Sequence, residues 1–453
     1  MKFQTKLKVV FTLFVLVFAV STANAGQPVA EDLRLTIDKA LEIAVDQNLS
    51  VKIADEEIAR VDWLKRENWY MLLPSVGANA QYTNNVLKPV FFSDFFPGGK
   101  MEIGSTNSYA VTGTLQVPIF SLALLKNIEM SEIELRSALE SARSTKIELI
   151  AQVKNSFYGI LMLEESLKVL EESYKNAKET ADNIRKMYEN GLASEYDKIR
   201  SDVAVRNILP SITQAKNGLE LSKMQLKVLL SLDLNTPVVL EGSISQYENE
   251  ISGYNPAEDL TLDGNSNLRT MDIQMEKLDK SIELIRSQRL PSVAGFANYQ
   301  LQMQNQEFSF RDRWSNSFAV GLAIQIPIFS KMSNVLKEKQ SRVVMRQLQL
   351  QKELLESNLS LAARNSLNEM SRTKIQLESD KEAVMQAKKG YEISKVRYST
   401  GAGTLLELND TEVALTRSKL NLNQTIYDYI KAKNDYEKVL GNDSIEKTEN
   451  NRQ

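Results

Sequence analysis

The sequence predicts an α+β fold in which pairs of amphipathic β-strands alternate with very long helices, the whole unit occurring twice. Three observations carry this expectation. Four short motifs recur in order in the two halves, short stretches alternate apolar with small or polar side chains, and two long stretches contain no proline.

Composition narrows the chemistry. The 453 residues hold 55 Lys+Arg against 58 Asp+Glu, a formal net charge of −3, with no His and no Cys. Without imidazole or thiolate, zinc sites of the usual ligands, Ser-His-Asp triads, cysteine nucleophiles and haem histidine ligands are excluded. Catalysis would fall to carboxylates alone, and stability must come from packing and association because no disulfide can form. The near-neutral balance argues against a nucleic-acid partner.

Residues 1–25 read as a cleaved signal peptide: Lys2, Lys6 and Lys8 form a basic start, 9–20 an apolar stretch, and Ala23-Asn24-Ala25 a small-x-small cleavage site. The apolar stretch is well short of the roughly 20 residues that span a bilayer. The mature chain is expected to start near Gly26 with a formal charge of −6, and no Cys follows to carry a lipoprotein-type lipid anchor. No later stretch has the length and apolarity of a transmembrane helix, so the exported chain is either soluble outside the cytoplasm or crosses an outer membrane as β-strands.

The first half carries Asn48-Leu49, Leu73-Pro74-Ser75-Val76, Val117-Pro118-Ile119-Phe120-Ser121 and Tyr188-Glu189-Asn190-Gly191. The second half answers with Asn267-Leu268, Leu290-Pro291-Ser292-Val293, Ile326-Pro327-Ile328-Phe329-Ser330 and Tyr398-Ser399-Thr400-Gly401. Offsets of 219, 217, 209 and 210 mark a duplication. The expected organisation is a first repeat at 26–230, a connecting segment at 231–265 with short strands, a second repeat at 266–440 and a polar tail at 441–453.

Within each repeat a helix (36–71, then 269–289) stops at Leu-Pro, because proline disfavours a helical residue before it and lacks a donor. Strands follow. In 292–304, Val293, Gly295, Ala297, Tyr299, Leu301 and Met303 oppose Ser292, Asn298, Gln300, Gln302 and Gln304, with Phe296 as the exception. In 317–326, Phe318, Val320, Leu322, Ile324 and Ile326 oppose Ser317, Ala319, Gly321, Ala323 and Gln325. The first half repeats the pattern with Val76, Ala78, Ala80 and Tyr82, and with Tyr109, Val111, Leu115 and Val117. One apolar and one uncharged small or polar face, with Phe120, Phe329, Trp314 and Tyr82 near the ends, is the pattern of a transmembrane strand. The loops at 84–107 and 305–316 are then extracellular.

Next come proline-free rods at 122–190 and 331–400, each on the order of 100 Å long. The first carries a coiled-coil seam from Ile150 through Phe157, Leu170 and Ala181 to Tyr188; the second keeps a weaker copy from Ala363 through Met370, Leu377 and Tyr391 to Tyr398. Each rod ends at a capping glycine, Gly191 and Gly401, and turns back through Ser194-x-x-Asp197 or Thr404-x-x-Glu407, which have the form of helix-starting boxes. The return helices run to about residues 230 and 440, with a kink expected at Pro210.

Four strands cannot close a barrel, and an open sheet edge is not viable in lipid. Two chains would give eight strands and a filled interior, whereas three give twelve and leave a passage. The barrel must therefore be shared between chains, and the helices are expected to continue it as a ring of coiled coils below the membrane.

The duplicated Pro-Ile-Phe-Ser, the Tyr-x-x-Gly turns and the acid-bearing return helices together resemble the TolC-like outer membrane efflux proteins, over nearly the whole mature chain. The resemblance implies a homotrimer in the outer membrane of a Gram-negative-type bacterium, a trimeric twelve-stranded outer membrane β-barrel continued by a large periplasmic part, an α-helical coiled-coil barrel. It implies the passive exit duct of a tripartite efflux or type I secretion system, with no enzymatic activity and no cofactor. The partners implied are outer membrane lipid, a periplasmic membrane-fusion adaptor and an inner-membrane transporter of RND, ABC or MFS type, with no nucleic acid. It places a channel constriction at the tip, on Asp197, Glu407 and Asp410. For Asp197 and Glu407 the competing role is helix capping; Asp410 lies too deep in its helix to cap it, and its competing role is a solvated surface charge. At Gly403 the chain departs from the family, where an Arg contributes to the closed-state tether. A soluble periplasmic coiled-coil adaptor or scaffold would explain the helices and the export signal, but not two pairs of amphipathic strands each set before a rod. The sequence does not name the cargo.

Overall fold

The computed structural model describes residues 33–95, 98–248, 251, 261–311, 313–329 and 332–441. The expected signal peptide, Ser330, Lys331 and the tail beyond Gly441 lie outside them. The first repeat contains β1 (Leu33–Leu35), α1 (Ile37–Gln47), α2 (Leu49–Tyr70), β2 (Ser75–Asn84), β3 (Val90–Phe92), β4 (Lys100–Glu102), β5 (Asn107–Phe120), α3 (Leu122–Glu189) and α4 (Glu195–Leu229). After β6 (Val238–Leu240) and a short 3-10 turn come α5 (Ser266–Ser287), β7 (Ser292–Asn305), β8 (Ser315–Gln325), α6 (Ser333–Ser399) and α7 (Leu405–Leu440).

Four of the strands form an antiparallel sheet in the order β2-β5-β7-β8. Its register gathers the alternating residues onto two faces. Val76, Leu115, Ala297 and Val320 form one row, and Ser75, Gln116, Phe296 and Gly321 form the adjacent row on the opposite face. Phe296 breaks the alternation for a steric reason: it covers Gly321, where an added Cβ would lie 2.8 Å from the ring. Near the loop end, Tyr82, Tyr109, Phe308, Phe310 and Trp314 cluster, with Tyr109 4.8 Å from Phe310 between ring centroids. The extended 84–107 connection contains a small hairpin, β3 with β4.

Each strand continues into a helix, so the helices inherit the strand order: α2 packs on α3, α3 on α5, and α5 on α6. Farther along, α4 packs on α3, α3 on α7 and α7 on α6. The return helices therefore stand end to end with α2 and α5 beside the continuous rods.

The joints correct two expectations. The helix expected at 36–71 is broken at Asn48, which is extended and caps α2, and the one expected at 269–289 starts earlier, at Ser266. Asn48 accepts from Ser50 N–H and donates through Nδ2 to the Leu229 carbonyl at 2.8 Å. Asn265 accepts from Asn267 N–H and donates to the Val439 carbonyl at 2.8 Å. The counterpart of Asn48 is thus Asn265, not Asn267; the corrected offset of 217 equals that of the Leu-Pro motifs. The connecting segment is tied in by β6, which pairs parallel to β1, and by Arg143, whose guanidinium donates to the Gly264 and Gly441 carbonyls.

The rods span 68 and 67 residues, the second described from Ser333. Val153, Phe157 and Ile160 of the first seam are buried in the main core, beside Leu161, with Ile426, Tyr429 and Tyr436 of α7. Farther down, the buried line of α3 runs through Val169 and Ser173 rather than the expected Leu170. The second seam is weaker in sequence because polar residues occupy it: Thr373 and Asp380 are buried at the missing steps, and Asp380 accepts from Thr425 Oγ1 at 2.7 Å and from Gln376 Nε2 at 2.9 Å. α4 runs unbroken through Pro210.

Candidate functional site

Both hairpin tips are built the same way. Gly191 and Gly401 each have φ of 75°, the left-handed conformation that costs glycine least. Leu192 N–H reaches the Met187 carbonyl and Gly191 N–H the Tyr188 carbonyl, and Ala402 and Gly401 repeat this on Arg397 and Tyr398. These paired bonds satisfy the last carbonyls of each rod. The chain then restarts as a helix capped by Ser194 or Thr404.

The site acids occupy different positions on this frame. Asp197 gives its N–H to Ser194 Oγ and accepts that hydroxyl's hydrogen at 2.7 Å. Glu407 completes a reciprocal capping box with Thr404. Asp410 is exposed. Burial pushes the Tyr398 hydroxyl up, and the Asp197 carboxylate adds to the effect, so the charge of the first tip reaches the second hairpin.

At the departure point, Gly403, a cation is supplied from another position. The Arg397 guanidinium lies 3.8 Å from Glu407 Oε2 and donates to the Ala402 carbonyl at 3.1 Å. A Cβ at Gly403 would meet the Arg397 Cβ at 3.0 Å. The corner that lacks an Arg at 403 is thus filled by an Arg from the end of α6.

One residue of this region escaped the sequence reading. Glu412 is 6% exposed, and its Oε1 has no hydrogen-bond partner. It lines a cavity of about 550 Å³ between α3, α4 and α7. Burial pushes its carboxyl up to about 7, against the opposing pull of Lys395. The signal was present: Leu405, Leu408 and Leu415 are buried at seam spacing, and Glu412 is the step between them. Among the described residues no group of acidic side chains is arranged to hold a metal ion.

The fold is thus a four-stranded sheet with one apolar face, extended strand by strand into paired coiled-coil rods. The profile of the outer membrane efflux protein family matches residues 71–230 and 259–442, and the chain belongs to that family. It is 18% identical over 328 residues to the alkaline protease secretion protein AprF of Pseudomonas aeruginosa, covering 72% of this chain and 68% of AprF. It is 19% identical over 306 residues to the outer membrane protein TolC of Vibrio cholerae, covering 67% and 70%. The fold superposes on the CmeC outer membrane channel of Campylobacter jejuni with a TM-score of 0.74 at 16% identity, over 92% of this chain and 88% of that one.

Proposed function

We propose that three copies of this chain close a twelve-stranded barrel in the outer membrane, and that the assembly is the passive exit duct of a tripartite efflux or type I secretion system. The observation that carries the reading is the pair of open sheet edges. β2 and β8 are 10 and 11 residues long and border a sheet with one apolar face. In lipid their free backbone groups require partners, and β8 of one copy against β2 of the next supplies them in antiparallel sense.

The helical layer supports the same seam. α2 and α6 are the outer helices below the sheet, and each exposes apolar residues at coiled-coil spacing: Leu49, Ile53, Trp63 and Tyr70 on α2, and Leu336, Val343, Leu350 and Leu361 on α6. Asp197, Glu407 and Asp410 lie at the tip where such a duct would narrow. A periplasmic adaptor would join it to an inner-membrane transporter that supplies the energy, and the secretion role of AprF makes type I export a service this duct fits. No reaction is assigned to the chain.

The test is fractionation and native mass measurement. The mature protein is expected in the outer membrane fraction, extracted by detergent as a trimer. Recovery as a monomer, or in a detergent-free soluble fraction, would overturn the reading.

A further inference from the structure

We propose that Glu412 is a proton-binding site, and that its deprotonation loosens the packing of α7 against the first hairpin and so favours opening of the tip. The inference rests on the reading of the chain as a duct.

The geometry supplies the motive. Glu412 belongs to the buried line of α7 that includes Leu405, Leu408 and Leu415, yet it carries an ionisable group there, at the edge of the cavity lined by α3, α4 and α7, with its Oε1 shut off from solvent. The charged and titratable groups around it come from every neighbouring element. Arg200 of α4 and Arg417 of α7 line the same cavity, but the Arg200 guanidinium donates to the Tyr196 hydroxyl. Lys395 of α6 favours the ionised carboxylate and stands 5.9 Å from the Tyr391 ring centroid. Burial pushes the Tyr391 hydroxyl up to about 12, with Glu412 and the α3 acids Glu172 and Glu179 adding to the shift. No protein group satisfies Glu412 Oε1. A buried carboxylate left this way is costly when charged, and the cost is relieved either by taking a proton or by admitting water.

Water can reach the buried carboxyl oxygen if α7 parts from α3. Because the packed state holds the carboxyl up at about 7, the proton is bound more tightly when the groove is closed. The sign follows by linkage: the packed form is favoured fully below the ordinary carboxylate range and loses that advantage as pH rises through about 7. Glu412 is close along α7 to Glu407 and Asp410, so movement of this segment moves the acids at the tip. The cavity is the space into which the helices can rearrange.

The experiment uses purified full-length protein in planar bilayers, from about pH 5.5 to about pH 8.5. Wild-type open probability should rise several-fold across neutrality. Glu412→Gln, which is neutral and of the same shape, should hold the acid-side level throughout, and Lys395→Gln should move the midpoint to higher pH because an opposing cation is gone. A neutral-pH step that persists in Glu412→Gln would overturn the proposal. Infrared difference spectra of the same samples read the proton directly. A protonated-carboxyl band that titrates near neutrality and disappears in Glu412→Gln is expected, and its absence from the wild type would also overturn the assignment. If that band titrates but no channel forms, the proton site stands and the duct reading fails.

Discussion

Asn265 acts in two directions at once, since its side-chain oxygen starts α5 while its amide nitrogen ends α7 on the Val439 carbonyl. No hydrophobic residue can do both, and Asp can do only the first. Asn265→Ala should therefore lower unfolding stability by about 1–3 kcal/mol, the cost of an N-cap together with a half-buried carbonyl left unpaired. Asn265→Asp should give no rescue, because a carboxylate cannot donate and would face the negative end of α7; thermal unfolding of both variants checks this. Full rescue by Asp would mean that only the cap matters. This residue also shows a limit of reading motifs. Asn267 repeats the Asn-Leu pair of the first half, but cap geometry selects the asparagine two positions earlier, a choice that side-chain identity alone does not reveal. The capping acids were legible because Ser-x-x-Asp and Thr-x-x-Glu encode a local bond within one turn, whereas Glu412 was not: a search for apolar periodicity passes over a seam position filled by a carboxylate.

At the level of elements, the strands were legible nearly to their ends because a sheet with one apolar face must alternate without slippage. The helix break at Asn48 was hidden because Ala44 and Val51 carry buried positions across it. The second coiled-coil seam looked weak for a related reason, as Thr373 and Asp380 replace apolar residues while keeping the spacing. Register now sharpens a test of the sheet. Val320, Leu322 and Ile324 are 69%, 68% and 64% exposed on the apolar face. Arg at any of them should block membrane assembly, since a mid-depth Arg facing lipid costs about 2–4 kcal/mol. Arg at Ala319 or Ala323, on the opposite face, should be tolerated far better. Gly321 shares that second face but is unsuitable as a control, because Phe296 already fills the space its side chain would need. Heat-stable assembled protein on gels is the measurement, and equal tolerance on the two faces would remove the barrel from the argument.

For the whole molecule, symmetry decides what single residues do. Three copies about one axis would repeat each tip acid three times, and a ring of carboxylates attracts cations and repels anions. Asp197 and Glu407 spend one side of their carboxyl groups on helix starts, whereas Asp410 is exposed deeper in α7 and takes no part in a cap. It is the acid best placed to act on ions, if its face of α7 lines the passage. Glu407→Gln is a mild change, because glutamine also serves in a capping box and would retain the bond to the Thr404 N–H. Asp410→Asn removes charge without removing a cap. The double variant should therefore still form trimers, while its reversal potential in a salt gradient shifts toward lower cation preference and block by multivalent cations weakens. Arg397 supplies an internal comparison, because it lies beside Glu407 and should already offset part of that acid's charge. Asp410→Asn alone should then reproduce most of the loss, and Glu407→Gln alone little of it. If ion preference is unchanged in the double variant, neither acid faces the passage, and the structure leaves capping as the role of Glu407 and solvation as that of Asp410.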